Sequence, residues 1–149
     1  MRTLRLGSAL GMLVALLVAP MASAAAPATT VITIDVTFGG AETFTATGGV
    51  VCESGTAVTD PVFIAGFGRM GRGVGTFHLV KTLTCDDGSG TFKILVDAAA
   101  APNSPGTLGG FAAGRGTGDY EGLHGGGSLV GTAKEGGIVD VYTGQLTNR

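Results

Sequence analysis

From Val31 onward the chain alternates apolar and polar positions with a period of two. In "VITIDVTF", Ile32, Ile34, Val36 and Phe38 fall on one face and Val31, Thr33, Asp35 and Thr37 on the other. That is the pattern of a β-strand with one buried face, and the β-branched content agrees. Gly39-Gly40 turns the chain into "AETFTATG", where Glu42, Phe44 and Ala46 stand opposite Thr43, Thr45 and Thr47. A third run, "VVCESGTAV", is punctuated by Asp60-Pro61 before "VFIAGFG". "GTFHLVKTLTC" and "TFKILVDAAA" flank "DDGSG", and Asp-Gly between alternating runs predicts a hairpin. The same five residues lack the ligand spacing and terminal Glu of a calcium loop. "AAAAPNSPG" reads as a loop, whereas "TLGGFAAG", "GGSLVGTAK" and "IVDVYTGQL" read as strands, the last two joined by a turn at Lys134–Gly137. No segment after residue 30 sustains a 3.6-residue period. About eight short strands with regular turn signals give an all-β domain, a barrel or a sandwich.

Glycine occupies 28 of 149 positions. Set among alternating strands, many of these glycines read as bulges and tight bends that let a small barrel curve and close. The densest stretch is "GRGTGDYEGLHGGGSLVGT", Gly114 to Thr132. A dinucleotide fingerprint needs G-x-G-x-x-G between a strand and a helix; here the spacing of Gly116, Gly118 and Gly122 is wrong and a strand follows. A P-loop needs Lys and Ser or Thr after its last glycine, and none occurs. The two histidines, His78 and His124, have no metal-ligand spacing. The stretch therefore reads as a sheet corner, with Tyr120 packing its ring at a barrel end and Asp119, Glu121 and His124 solvated. No cofactor and no metal are expected.

"GTGDYEGLHGGGSLVGT" followed by "VDVYTGQL" resembles the glycine-rich segment and final strand of the allene oxide cyclase and dirigent-like barrels. It is most similar to small secreted bacterial members of that group without assigned function. "GTFHLVKTLTCDDGSGTFKILV" is similar to the long central hairpin of the family. The resemblance covers about the last half of the chain and rests on glycines and one aromatic. It implies a single antiparallel eight-stranded barrel around an apolar cavity, and oligomers of the same chain as an option. The acidic and aromatic pocket residues of the family match no position here, so the resemblance transfers no catalytic residue.

The first residues, "MRTLRLGSALGMLVALLVAPMASAAAPATT", place Arg2 and Arg5 before a short apolar run. Pro20 and the small residues Ala22-Ser23-Ala24 follow, as at a signal-peptidase site. The run is shorter than the ~20 apolar residues that span a bilayer. Residues 1–24 are expected to be a cleaved secretory signal and 25–149 a single β domain in the extracellular space, without a membrane anchor. Seven basic and eleven acidic residues then remain, a net charge of −4. That mildly acidic balance without a basic cluster argues against nucleic acid as a partner. Cys52 and Cys85, an even pair in an exported chain, are expected to form a disulfide. The competing architecture is an immunoglobulin-like sandwich bridged by that disulfide, but no Trp is present to pack on it.

Four residues could carry chemistry inside such a domain. Asp140 and Tyr142 share a strand face with Ile138 and Leu146 and would form an acid–phenol pair if that face lines a cavity. If Val139 and Val141 face inward instead, the pair is solvated. Lys81 shares a face with Phe77, Leu79 and Leu83, where a lysine usually snorkels to a rim. Glu42 stands near a strand start, in line with Phe44. These four are the ligand-binding candidates. Three functional readings follow: a binder of an apolar or amphipathic small molecule, an isomerase- or cyclase-like enzyme, or a structural protein of the cell exterior. No Ser-His-Asp arrangement can be assembled.

Overall fold

The computed structural model describes residues 26–66, 73–101 and 106–149. The expected secretory signal and the Asn103-Ser104-Pro105 segment lie outside the described residues. Eight strands follow in chain order: β1 (Ala28–Thr37), β2 (Glu42–Thr47), β3 (Ser54–Ala65), β4 (Gly75–Cys85), β5 (Gly90–Ala100), β6 (Gly106–Gly118), β7 (His124–Lys134) and β8 (Gly137–Thr147). Each pairs antiparallel with the next, and β8 pairs with β1 over ten residues, from Ala28↔Leu146 to Thr37↔Gly137. The sheet is a closed eight-stranded barrel. That closure excludes the sandwich, which would leave two sheets with free edges.

The alternation sets the inside of the barrel. Ile32 and Ile34 of β1, Phe44 and Ala46 of β2, Leu83 of β4 and Phe92, Ile94 and Val96 of β5 are all buried. One end is filled with rings and a covalent bridge. Phe92 packs edge-on against Phe44, centroids 5.9 Å apart, and against Tyr120 at 5.4 Å. Cys52 and Cys85 form a disulfide that ties the β2–β3 connection to the end of β4. Among the described residues, no helix is long and apolar enough to cross a membrane.

Several local expectations are corrected. Phe38 lies beyond β1, 67% exposed, because the turn at Gly39 ends the strand before it. Val50 to Glu53 are loop rather than strand, and both Val51 and Cys52 are buried there without alternation. Asp60-Pro61 does not end β3; the strand runs through it, with a register shift between Pro61 and Phe63. A bulge tolerates a proline that a regular ladder would not. Ala98 to Ala100, shared between the strand run "TFKILVDAAA" and the loop read in "AAAAPNSPG", belong to the strand, and β5 ends at Ala100.

The two glycine turns form as expected. In "DDGSG", the Asp87 carboxylate accepts from the Ser89 backbone N–H at 2.9 Å while Gly88 takes a positive φ of 76°. The Ser89 hydroxyl, which donates to the same oxygen at 2.6 Å, and that N–H together hold the Asp87 carboxyl below its ordinary pKa. At the longer corner, β6 runs through Gly118, whose φ of 60° suits a residue without a Cβ. The chain then turns over Asp119 to Leu123, with the Tyr120 N–H donating to Thr117 O and the Leu123 N–H to Tyr120 O. Tyr120 is 5% exposed and stacks at the barrel end, whereas Asp119, Glu121 and His124 are exposed.

Candidate functional site

The cavity end is built by strand register. β8 lies beside β1 with Ile32 opposite Tyr142 and Ile34 opposite Asp140. Because Ile32 and Ile34 are core residues, register turns Asp140 and Tyr142 inward and leaves Val139 and Val141 on the outer face. The inward alternative is thus the one realised. On the far wall Lys81 of β4 pairs with Thr59 of β3 and Ile94 of β5. Lys81 does not reach a rim: its side chain is 3% exposed. Glu42 opens β2 opposite Val36 and Ala57.

All four sequence candidates therefore converge. The Lys81 ammonium donates to Thr59 Oγ1 at 2.7 Å and to Glu42 Oε2 at 3.1 Å, and stands 3.8 Å from Asp140 Oδ2. The Thr59 hydroxyl donates to the same Glu42 oxygen at 2.7 Å. The Tyr142 hydroxyl donates to Asp140 Oδ2 at 3.3 Å. Burial pushes the Asp140 carboxyl above its ordinary value, and the nearby Lys81 charge only partly offsets it. Burial likewise pushes the Tyr142 phenol up, and the neighbouring Asp140 carboxylate pushes it further. Tyr142 is therefore a neutral donor throughout the physiological range.

This cluster borders a cavity of about 230 Å³ whose other walls include Val36, Leu79, Val96, Leu129 and Ile138. The volume lies below the roughly 300–1,000 Å³ of ordinary ligand pockets, which restricts any occupant to a small molecule. It is what an eight-stranded barrel leaves when side chains fill only part of its interior.

Three residues of this site escaped the sequence reading. Thr59 shares the parity of Gly55 and Ala57, a signal hidden by reading Asp60-Pro61 as a strand end. Thr107 lines the cavity from the start of β6. Gly131 stands opposite Thr107 and Asp140 in the ladders. A Cβ there would sit 2.2 Å from Thr107 Oγ1 and 2.6 Å from Asp140 Oδ1. Its missing side chain is the space those two polar groups occupy.

Other polar groups form no comparable site. His78 and Asp97 pair on the outer face, half or more exposed, and Lys134 and Asp35 pair at the rim. A larger hollow of about 830 Å³ lies outside the filled end, between the 49–54 loop and the Asp86–Ser89 and Asp119–Tyr120 turns. It is an open trough whose lining mixes Val50, Val51 and Tyr120 with exposed carboxylates, whereas the smaller cavity gathers the buried charges. Among the described residues, no His/Cys/Asp/Glu group could hold a metal ion. Comparison of the chain with protein-family models, characterised proteins and solved structures finds no match.

Proposed function

We propose that this chain is a secreted β-barrel that binds an apolar or amphipathic small molecule in the open end of its interior. One observation carries the reading: Glu42, Thr59, Lys81, Asp140 and Tyr142, from four strands, meet across a cavity whose remaining lining is apolar apart from Thr107. An apolar wall with a few convergent polar groups is the usual form of a small-molecule site. Burying an ion triad costs stability that apolar residues would not, and a site for an oriented ligand gives that cost a use. The disulfide is compatible with an oxidising compartment. Kinship with the allene oxide cyclase and dirigent-like barrels belongs to the same reading, supported by the glycine segment and the strand count.

The test is a titration of the purified protein with small apolar and amphipathic probes, followed by amide NMR. Shifts confined to β2, β4 and β8 around the cluster support the reading. Absence of any site at millimolar probe overturns it. A second reading, an isomerase-like enzyme, is favoured by the Tyr142–Asp140 contact, which could move or polarise a proton on a bound ligand. It requires that D140N or Y142F abolish turnover while the fold survives. Native mass spectrometry of the protein from its own host would report signal cleavage, oligomeric state and bound mass together.

A further inference from the structure

We infer that the cavity selects small organic amines, ligands with a compact apolar body and one protonated nitrogen. The inference rests on the binding function proposed above and names its ligand class. It starts from which hydrogen-bonding groups of the cluster are already engaged. The Thr59 and Tyr142 hydroxyl protons point at Glu42 Oε2 and Asp140 Oδ2. Two N–H groups of Lys81 are directed at Thr59 and Glu42, and Asp140 Oδ2 lies 3.8 Å from the same nitrogen. The protein's own donors thus serve its own acceptors, except for one Lys81 N–H, for which 3.8 Å to Asp140 Oδ2 is an ion-pair contact and not a hydrogen bond.

What the cluster has left over is chiefly acceptors. Glu42 Oε1 and Asp140 Oδ1 take part in no hydrogen bond among the described residues, and both side chains border the cavity. An ionised carboxylate is an acceptor only, with room for several donors. Thr107, the remaining hydroxyl on the wall, can act either way and does not discriminate. A ligand head must therefore donate.

Charge sharpens the choice. Two carboxylates face one ammonium, so an ionised cluster carries one uncompensated negative charge. A ligand carboxylate would add a third anion and find a single N–H, the third of a Lys81 ammonium that two carboxylates already share. An alcohol could satisfy one oxygen and leave the charge unbalanced. A protonated amine donates up to three bonds and neutralises the excess, which between largely buried carboxylates is worth more than at the surface. The volume of about 230 Å³ equals roughly eight waters at ~30 Å³ each. That is room for one aromatic ring with a short chain, and not for a long acyl tail.

Acid weakens this selection through Asp140. The charged or titratable groups facing it are Glu42 from β2, Lys81 from β4 and Tyr142 from its own strand. Its neighbours across β1 and β7 are Ile34 and Gly131, which do not titrate. Protonating Asp140 removes the excess negative charge, so amine affinity falls on acidification while the amine itself stays protonated.

The experiment uses three matched probes, 2-phenylethylamine, 2-phenylethanol and phenylacetate, with toluene as a purely apolar control, by calorimetry and amide NMR at neutral pH. The amine is expected to bind about tenfold or more tighter than the alcohol, with phenylacetate weakest. E42Q and D140N should each reduce the ratio of amine to alcohol affinity, whereas E121Q, which removes the same charge at the far corner, should not. If the alcohol equals the amine, or phenylacetate binds best, the amine inference fails and the binding function stands. If no probe binds, toluene included, both fail. A preference for the amine that E42Q and D140N leave intact places recognition elsewhere and also overturns the inference.

Discussion

Asp140 is the residue whose ionisation most directly couples the site to the stability of the fold. Its carboxyl is pushed above the ordinary value of 3.8 chiefly by burial. A carboxyl with a raised folded pKa holds more protons folded than unfolded. Its contribution is therefore most favourable below the ordinary value and is lost as pH rises toward the raised one. D140N cannot ionise and leaves Lys81 and Glu42 as a one-to-one pair. The melting temperature of D140N relative to the native protein should thus rise between pH 4 and pH 7, each pKa unit of displacement being worth about 1.4 kcal/mol. A constant difference across that range would mean that Asp140 is solvated when charged. Lys81 behaves oppositely. Replacing it with Met keeps the apolar stem but leaves two largely buried carboxylates without their cation. K81M should lose about 3 kcal/mol or more, read from urea midpoints at neutral pH. A loss under about 1 kcal/mol would put that ammonium among surface ion pairs.

The strands were legible wherever alternation was strict, as in "VITIDVTF" and "ETFTAT", because period two needs only local chemistry to be seen. The inward face of β8 was not. Ile138-Val139-Asp140-Val141-Tyr142 offers apolar residues on both faces, and only pairing with Ile32 and Ile34, a hundred residues earlier, decides between them. For the same reason Glu42, Lys81, Asp140 and Tyr142 could each be singled out, but not seen to meet. Loop residues were harder still: Val51 and Cys52 are both buried beside the disulfide, so no alternation marks them. That disulfide ties the β2–β3 connection to the end of β4. With its cysteines 33 positions apart in sequence, chain entropy assigns it about 4 kcal/mol. The double substitution C52S/C85S should lower stability by that order while keeping the far-UV spectrum of a barrel. A variant that unfolds outright would show the 49–54 loop to be part of the core, and an unchanged midpoint would show the bridge to be redundant.

The molecule as a whole has two unlike ends. Antiparallel closure gives every strand a neighbour on both sides, so the difference arises from what fills the interior. One end holds Phe44, Phe92 and Tyr120 in edge-to-face contact together with the Cys52–Cys85 bridge. The other holds a cavity and the buried charges of Glu42, Lys81 and Asp140. Local stability follows buried apolar contact, and a hollow with desolvated charge contributes less of it. Amide hydrogen exchange should therefore be graded along the barrel axis. In β4 the amides near Leu83 should exchange only through global unfolding, and those near Phe77 through smaller openings. β5 runs the opposite way, so its slow amides should lie near Phe92 and its faster ones near Ala98. The reversal between adjacent strands separates an axial gradient from ordinary fraying, which would loosen both ends of each strand alike. Equal protection at Phe77 and Leu83, or at Phe92 and Ala98, would mean that the cavity does not weaken the barrel. The buried triad would then be as firm a part of the core as the aromatic end.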